Sequence, residues 1–225
     1  MRVFRILVVE DDLEACDQIV VFLRTAMPES LIDVANDIES AFERLKAAQR
    51  PYDLAILDFQ LPQRLGEQPV IDESLCEHLT RFVPATIVSH ITGFADDPKI
   101  MEHLNRAHLG SRPRGFCVDK KSPQAAMKLL QLTRETLYGA DIENQIADLF
   151  PENLRTLGTE RARTAGQRHA GSFSNRVADL CVEISGAWPH LAPATRIFIE
   201  GYFLVRTDTA SPFVVLRGEQ GAPLS

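Results

Sequence analysis

The chain has 225 residues, enough for one large or two small domains, and its 45% hydrophobic and 24% charged content is ordinary for a soluble globular protein. A net charge of -7 and a pI near 5.4 leave the molecule as a whole without an electrostatic footprint for nucleic acid. No stretch approaches the roughly 18 consecutive apolar residues that a membrane span needs.

The opening, MRVFRILVVEDD, runs from a short apolar stretch into three acids, unlike a secretory leader, and the expected location is the cytoplasm. Within it, Arg5 to Val9, apolar from Ile6 onward, is a run of the kind found in strands buried on both faces. Cys16, Ile19, Val20, Leu23 and Met27 then recur at helical spacing. Leu31 to Ala35 reads as a second, weaker strand, and Ile38, Ala41, Phe42 and Leu45 as a second helix. Asp53 to Leu57 is a third strand that stops at an acid, Asp58. A helix around Glu73 to Phe82, a strand from Ala85 to Ile91 and a helix around Pro98 to His108 follow. Gly115 to Asp119 is the fifth strand. Ala126, Leu129, Leu130, Thr133 and Leu137 mark a closing helix, begun by Ser122-Pro123 as N-cap and first-turn proline.

Beyond Gly139 the texture changes. Asp141 to Arg176 is polar and arginine-studded, with an apolar patch at Ile146 to Phe150. Val177, Leu180, Cys181 and Ile184 predict a helix ended by Gly186, and another runs from Pro193 to about Val205. Arg155, Arg161, Arg163, Arg168 and Arg176 face only Glu160 in their stretch. Few aromatics interleave them and no helix-turn-helix pattern follows, so they read as a solvated linker or helix face. Cys16, Cys76, Cys117 and Cys181 form no C-x-x-C pair and read as buried free thiols. His78, His103, His108, His169 and His190 show no metal-ligand spacing.

Five strands alternating with five helices predict an α/β fold, a doubly wound five-stranded parallel sheet, followed by a small, mainly helical C-terminal region. In such sheets ligands bind beyond the carboxyl ends of the strands. The residues expected there are Glu10, Asp11 and Asp12, then Asp58, then Thr92-Gly93, then Lys120-Lys121. Converging carboxylates repel one another, and a hard divalent cation such as Mg2+ relieves the repulsion. A carboxylate beside Mg2+ can act as a nucleophile toward a phosphoryl group. An ammonium and a hydroxyl nearby can then take up charge on the transferring oxygens.

Ile6-Leu-Val-Val-Glu10-Asp11-Asp12, Asp53-Leu-Ala-Ile-Leu-Asp58-Phe-Gln-Leu-Pro62, Ile91-Thr92-Gly93-Phe94 and a lysine after the fifth strand together resemble the receiver domain of two-component response regulators. The resemblance covers roughly the first 137 residues. It implies the flavodoxin-like fold of CheY, with Asp58 accepting a phosphoryl group from a histidine kinase or phosphotransfer protein. Glu10, Asp11, Asp58 and the Gln60 backbone carbonyl would arrange Mg2+. Thr92 would be the switch hydroxyl, and Lys120 would hold a phosphoryl oxygen. Lys121 is the alternative, because the segment aligns with one residue of slack. The expected division is a receiver over 1–138, a linker with a helical segment over 139–175, a helical output or interaction region over 176–217 and a disordered tail over 218–225. A homodimer through the fourth helix, fifth strand and fifth helix, or through the C-terminal helices, is a further expectation.

The sequence also departs from that pattern. The stretch from Gln63 to Asp72 is longer than the family usually has before its third helix. Cys117 stands three residues before Lys120, where an aromatic is usual, with Phe116 beside it. Ser89-His90 interrupts the fourth strand, and His90 reads as a core histidine. Asp12 reads as the N-cap of the first helix. Enzymatic activity in this reading is limited to self-phosphotransfer and autodephosphorylation at Asp58. Competing readings are an unphosphorylated receiver-fold interaction module and a regulator whose C-terminal region binds nucleic acid. A phosphatase of the haloacid dehalogenase type is disfavoured, since Gln60 stands where that family has its second aspartate.

Overall fold

The structure, a computed structural model, describes residues 3–71, 73–83, 85–94, 97–98, 102, 115–150, 173–206 and 213–216. Arg5 and the apolar run after it form β1 (Arg5–Val9), and all but its first residue are buried. The chain then turns on Asp12, whose side chain accepts from the Glu14 and Ala15 amides at 2.9 and 3.1 Å and so caps α1 (Leu13–Ala26). That helix buries Cys16, Ile19, Val20 and Leu23, the i, i+3, i+4, i+7 stripe of its sequence. β2 (Leu31–Ala35), α2 (Ile38–Ala47) and β3 (Leu54–Asp58) follow.

A hairpin then interrupts the alternation, with β4 (Gln60–Leu61) antiparallel to β5 (Val70–Ile71). Of the stretch expected as a long loop, Val70 and Ile71 form the second strand of this hairpin. Next come α3 (Ser74–Phe82), β6 (Ile87–Thr92) and β7 (Cys117–Asp119). β6 starts two residues later than the sequence pattern suggests and takes in Thr92. The helix expected around Pro98 to His108 lies almost entirely outside the described residues.

The five main strands form one parallel sheet in the order β2-β1-β3-β6-β7. Alternate side chains enter opposite faces. On one face Leu7, Val9, Ala55, Leu57 and Val88 pack with Ile38 and Ala41 of α2 and Leu75, Cys76 and Leu79 of α3. At the amino end of the sheet, Arg5 Nη2 donates to Asp33 Oδ2 at 2.9 Å, and the Tyr52 hydroxyl donates to the same oxygen at 2.8 Å.

α4 (Ala125–Leu149) crosses Gly139 without a break, so the closing helix marked in the sequence as far as Leu137 runs on to Leu149. The glycine marks a close approach: a Cβ at Gly139 would sit 3.2 Å from Thr195 Oγ1. The chain divides into two compact units within this helix, residues 2–133 and 134–225.

In the second unit, α5 (Phe173–Ala187) runs on through Gly186 into a 3-10 turn (Trp188–His190), and α6 (Pro193–Glu200) follows. The helix expected to reach Val205 ends at Glu200. β8 (Phe203–Arg206) begins just beyond and pairs antiparallel with β9 (Phe213–Leu216). Ile142, Ile146 and Leu149 of α4 pack with Leu180, Ile184, Trp188, Ile199, Phe203 and Val214 in this unit's own core. Cys16 and Cys76 are buried as expected, whereas Cys117 and Cys181 are only half-buried. Of the clustered arginines only Arg176 is among the described residues, and the 218–225 tail is not. Among the described residues, no helix is long and apolar enough to cross a membrane.

Candidate functional site

A parallel sheet delivers every strand's carboxyl end to one edge, and here the edge carries the chemistry. Glu10 follows β1, Asp58 ends β3, Thr92 ends β6 and Lys120 follows β7. Register fixes the neighbours: Asp58 pairs with Ile91, and Thr92 pairs with Asp119. Glu10, Asp11 and Asp58 each offer a carboxylate oxygen, and the three oxygens lie within 4.8 Å of one another. Among the described residues this is the one group of three or more such side chains close enough to hold a metal ion.

Lys120 reaches into this cluster. Its ammonium donates to Glu10 Oε1 and Asp58 Oδ2, both at 2.7 Å. Glu10 is fully buried and Asp58 nearly so. Glu10 Oε2 lies 2.6 Å from the same ammonium yet meets no donor in hydrogen-bond geometry. One lysine thus faces two carboxylates, with Asp11 beside them, so the cluster keeps excess negative charge. Lys121 points elsewhere, its ammonium over the Phe94 ring at 5.3 Å. The geometry favours Lys120 over Lys121 as the lysine of the cluster.

The titration behaviour follows. Burial raises the Glu10 carboxyl from 4.5 to about 7, with Lys120 pulling against it and Asp58 adding to it. Burial likewise holds Asp58 above its ordinary range, despite the Lys120 ammonium and the Phe59 amide, which donates to Asp58 Oδ1 at 2.6 Å. Burial acts to lower Lys120, but Asp58 and Glu10 outweigh it and the ammonium is held protonated. A hard divalent cation fits this donor set: all oxygen, excess negative charge, and a buried oxygen without a donor. Thr92 is fully buried, and its Oγ1 accepts from the Phe94 amide at 3.2 Å.

The departures noted in the sequence acquire physical reasons. Ser89 is buried in β6 because its Oγ accepts from the Phe116 amide at 3.1 Å. His90 is buried in the core, 6.2 Å from the Phe59 ring. Cys117 lies half-buried against Phe59.

Sequence reasoning did not anticipate the fastening of the hairpin. Asp37 caps α2 through the Ser40 amide at 2.6 Å and also accepts from the Leu65 amide at 3.0 Å. Arg64 makes a two-point contact with Glu39. The Asp37-to-Ser40 spacing is a visible capping signal; its second partner is not local.

No family model matches the sequence. The chain is 28% identical over 159 residues to an uncharacterized protein of Sinorhizobium fredii, y4jS. The match takes in 66% of this chain and 37% of that one, so the chain spans well under half the length of its curated relative. Among solved structures, a signal receiver domain from Vibrio parahaemolyticus is similar at a TM-score of 0.50 and 19% identity, over 64% of this chain and 98% of that one. A CheY-like receiver domain protein from Methanospirillum hungatei aligns at 0.49 and 20% identity, over 63% and 99%. The chemotaxis response regulator CheY4 of Vibrio cholerae aligns at 0.44 and 16%, over 58% and 98%. The N-terminal part of this chain has the fold of the CheY-like response regulator receiver domains.

Proposed function

We propose that the chain is a response regulator of a phosphorelay. Asp58 accepts a phosphoryl group from a phosphohistidine of a histidine kinase or phosphotransfer protein, with Mg2+ at the acidic cluster. One observation carries this reading: three carboxylates converge at the sheet edge while a single ammonium contacts the proposed acceptor and its neighbour Glu10.

In the transfer, an Asp58 oxygen forms a bond to phosphorus as the phosphorus–nitrogen bond of the donor breaks, and the imidazole nitrogen keeps the electron pair. Mg2+, when bound, supplies positive charge to the acceptor and to the phosphoryl oxygens. Glu10, Asp11, Asp58 and the Gln60 carbonyl would hold it. Lys120 gives up its bond to Asp58 for one to a phosphoryl oxygen, staying protonated throughout. The Thr92 hydroxyl now accepts from Phe94, and a hydroxyl that accepts can also donate. Turning its O–H to the phosphoryl group would draw the end of β6 with it and switch contacts with the C-terminal region or a partner protein. Water attacking phosphorus later returns the free carboxylate and inorganic phosphate.

Labelled acetyl phosphate with Mg2+ tests this directly. The protein should take up one label, and Asp58→Asn or excess EDTA should abolish it. A protein that takes up no label, and that does not respond to beryllofluoride, would end the reading.

A further inference from the structure

The hairpin inserted after Asp58 has a two-residue ladder, too short to hold itself in water. Its position therefore depends on what fastens it. β4 begins two residues past the proposed acceptor, so the backbone of Gln60 moves with the hairpin.

The fastenings converge on the turn between β2 and α2. The first amides of α2, Ile38 and Glu39, donate to the carbonyls of Pro62 and Gln63 at 3.1 and 3.2 Å. Asp37 is 9% exposed and uses one carboxylate oxygen for the Ser40 amide and the other for the Leu65 amide. Next to it, Asn36 Nδ2 donates to the Glu10 carbonyl at 2.8 Å. One short turn thus grips both the strand end that carries Glu10 and the hairpin that begins at Gln60. The Arg64–Glu39 pair adds little, being solvent-exposed.

We propose that Asn36 and Asp37 are positioning residues for the metal-and-acceptor site, and that the hairpin is a brace through which Asp37 fixes the backbone after Asp58. This deepens the proposed phosphoacceptor reading and rests on it. The expectation follows from how outer partners act at metal sites: they set ligand orientation, and losing one weakens metal affinity about tenfold or more.

Two variants separate bracing from capping. Asp37→Ser keeps a short oxygen for the Ser40 amide but cannot also reach Leu65. Leu65→Pro removes the N–H that reaches Asp37, at an exposed position, and leaves the cap whole. Mg2+ affinity by calorimetry and beryllofluoride occupancy by fluorine NMR are measured on the full chain, beside thermal melts in EDTA. Expected is about a tenfold loss of Mg2+ affinity in both variants, with beryllofluoride binding weakened in step, at melting temperatures close to the wild type. Unchanged Mg2+ and beryllofluoride binding in Leu65→Pro, which tests the brace even if Asp37→Ser fails to fold, overturns the proposal. Wild-type protein that binds neither probe removes the phosphoacceptor reading itself, and the brace with it.

Discussion

Burial raises the Glu10 carboxyl from 4.5 to about 7, so between those values the folded protein holds a proton that the unfolded chain has released. Stability of metal-free protein therefore falls as pH rises through this window, by on the order of 3 kcal/mol from this group. Mg2+ needs the ionised carboxylate and reverses the trend, so its stabilising effect grows with pH. Melts in EDTA and in saturating Mg2+ at pH 5.5 and 8 check this; an equal Mg2+ effect at both would contradict it. Lys120 contributes in the same direction at higher pH: its raised pKa means its stabilisation is fully present below the ordinary lysine value and fades only as pH rises beyond it. Lys120→Ala leaves Glu10 and Asp58 facing each other without a cation. Metal-free protein at pH 8 should lose about 3 kcal/mol, and acetyl phosphate labelling should collapse. Lys121→Ala removes a contact to an exposed ring and should do neither, as paired melts and labelling assays would show.

At the scale of elements, local patterns were readable and non-local partnerships were not. β1 and β3 are continuous apolar runs ending in acids, and the strand-end rule alone brought Glu10, Asp58, Thr92 and Lys120 to one edge. The two hairpins escaped because each depends on a partner across an intervening stretch, Leu61 with Val70 and Val205 with Val214. Gly139, beyond which the texture of the sequence changes, lies inside a helix and admits Thr195. That contact is testable. Alanine is favoured over glycine in a helix by about 1 kcal/mol. Thr195 is held in place by its bond to Glu143 Oε1 at 3.0 Å and cannot easily retreat from a new Cβ. Gly139→Ala should therefore destabilise wild-type protein by about 1 kcal/mol yet stabilise a Thr195→Ala background, a crossing of sign that a denaturant double-mutant cycle reads directly.

At the scale of the molecule, α4 belongs to two cores at once. Its first half buries Leu129 and Thr133, while Ile142, Ile146 and Leu149 belong to the second unit's core. Where the chain is cut should therefore decide how a receiver fragment behaves. A fragment ending at Tyr138 stops before those three side chains. One ending at Leu149 carries them without Leu180, Ile184 and Phe203 to cover them, and a side chain of this kind left in water forgoes about 1.5 to 3 kcal/mol of burial. The longer fragment should self-associate, with light scattering giving a mass that rises with concentration, while the shorter one stays monomeric and still takes up label at Asp58. A monomeric longer fragment would mean that those residues find cover within the first unit, and that the second core is not what holds the far half of α4 in place.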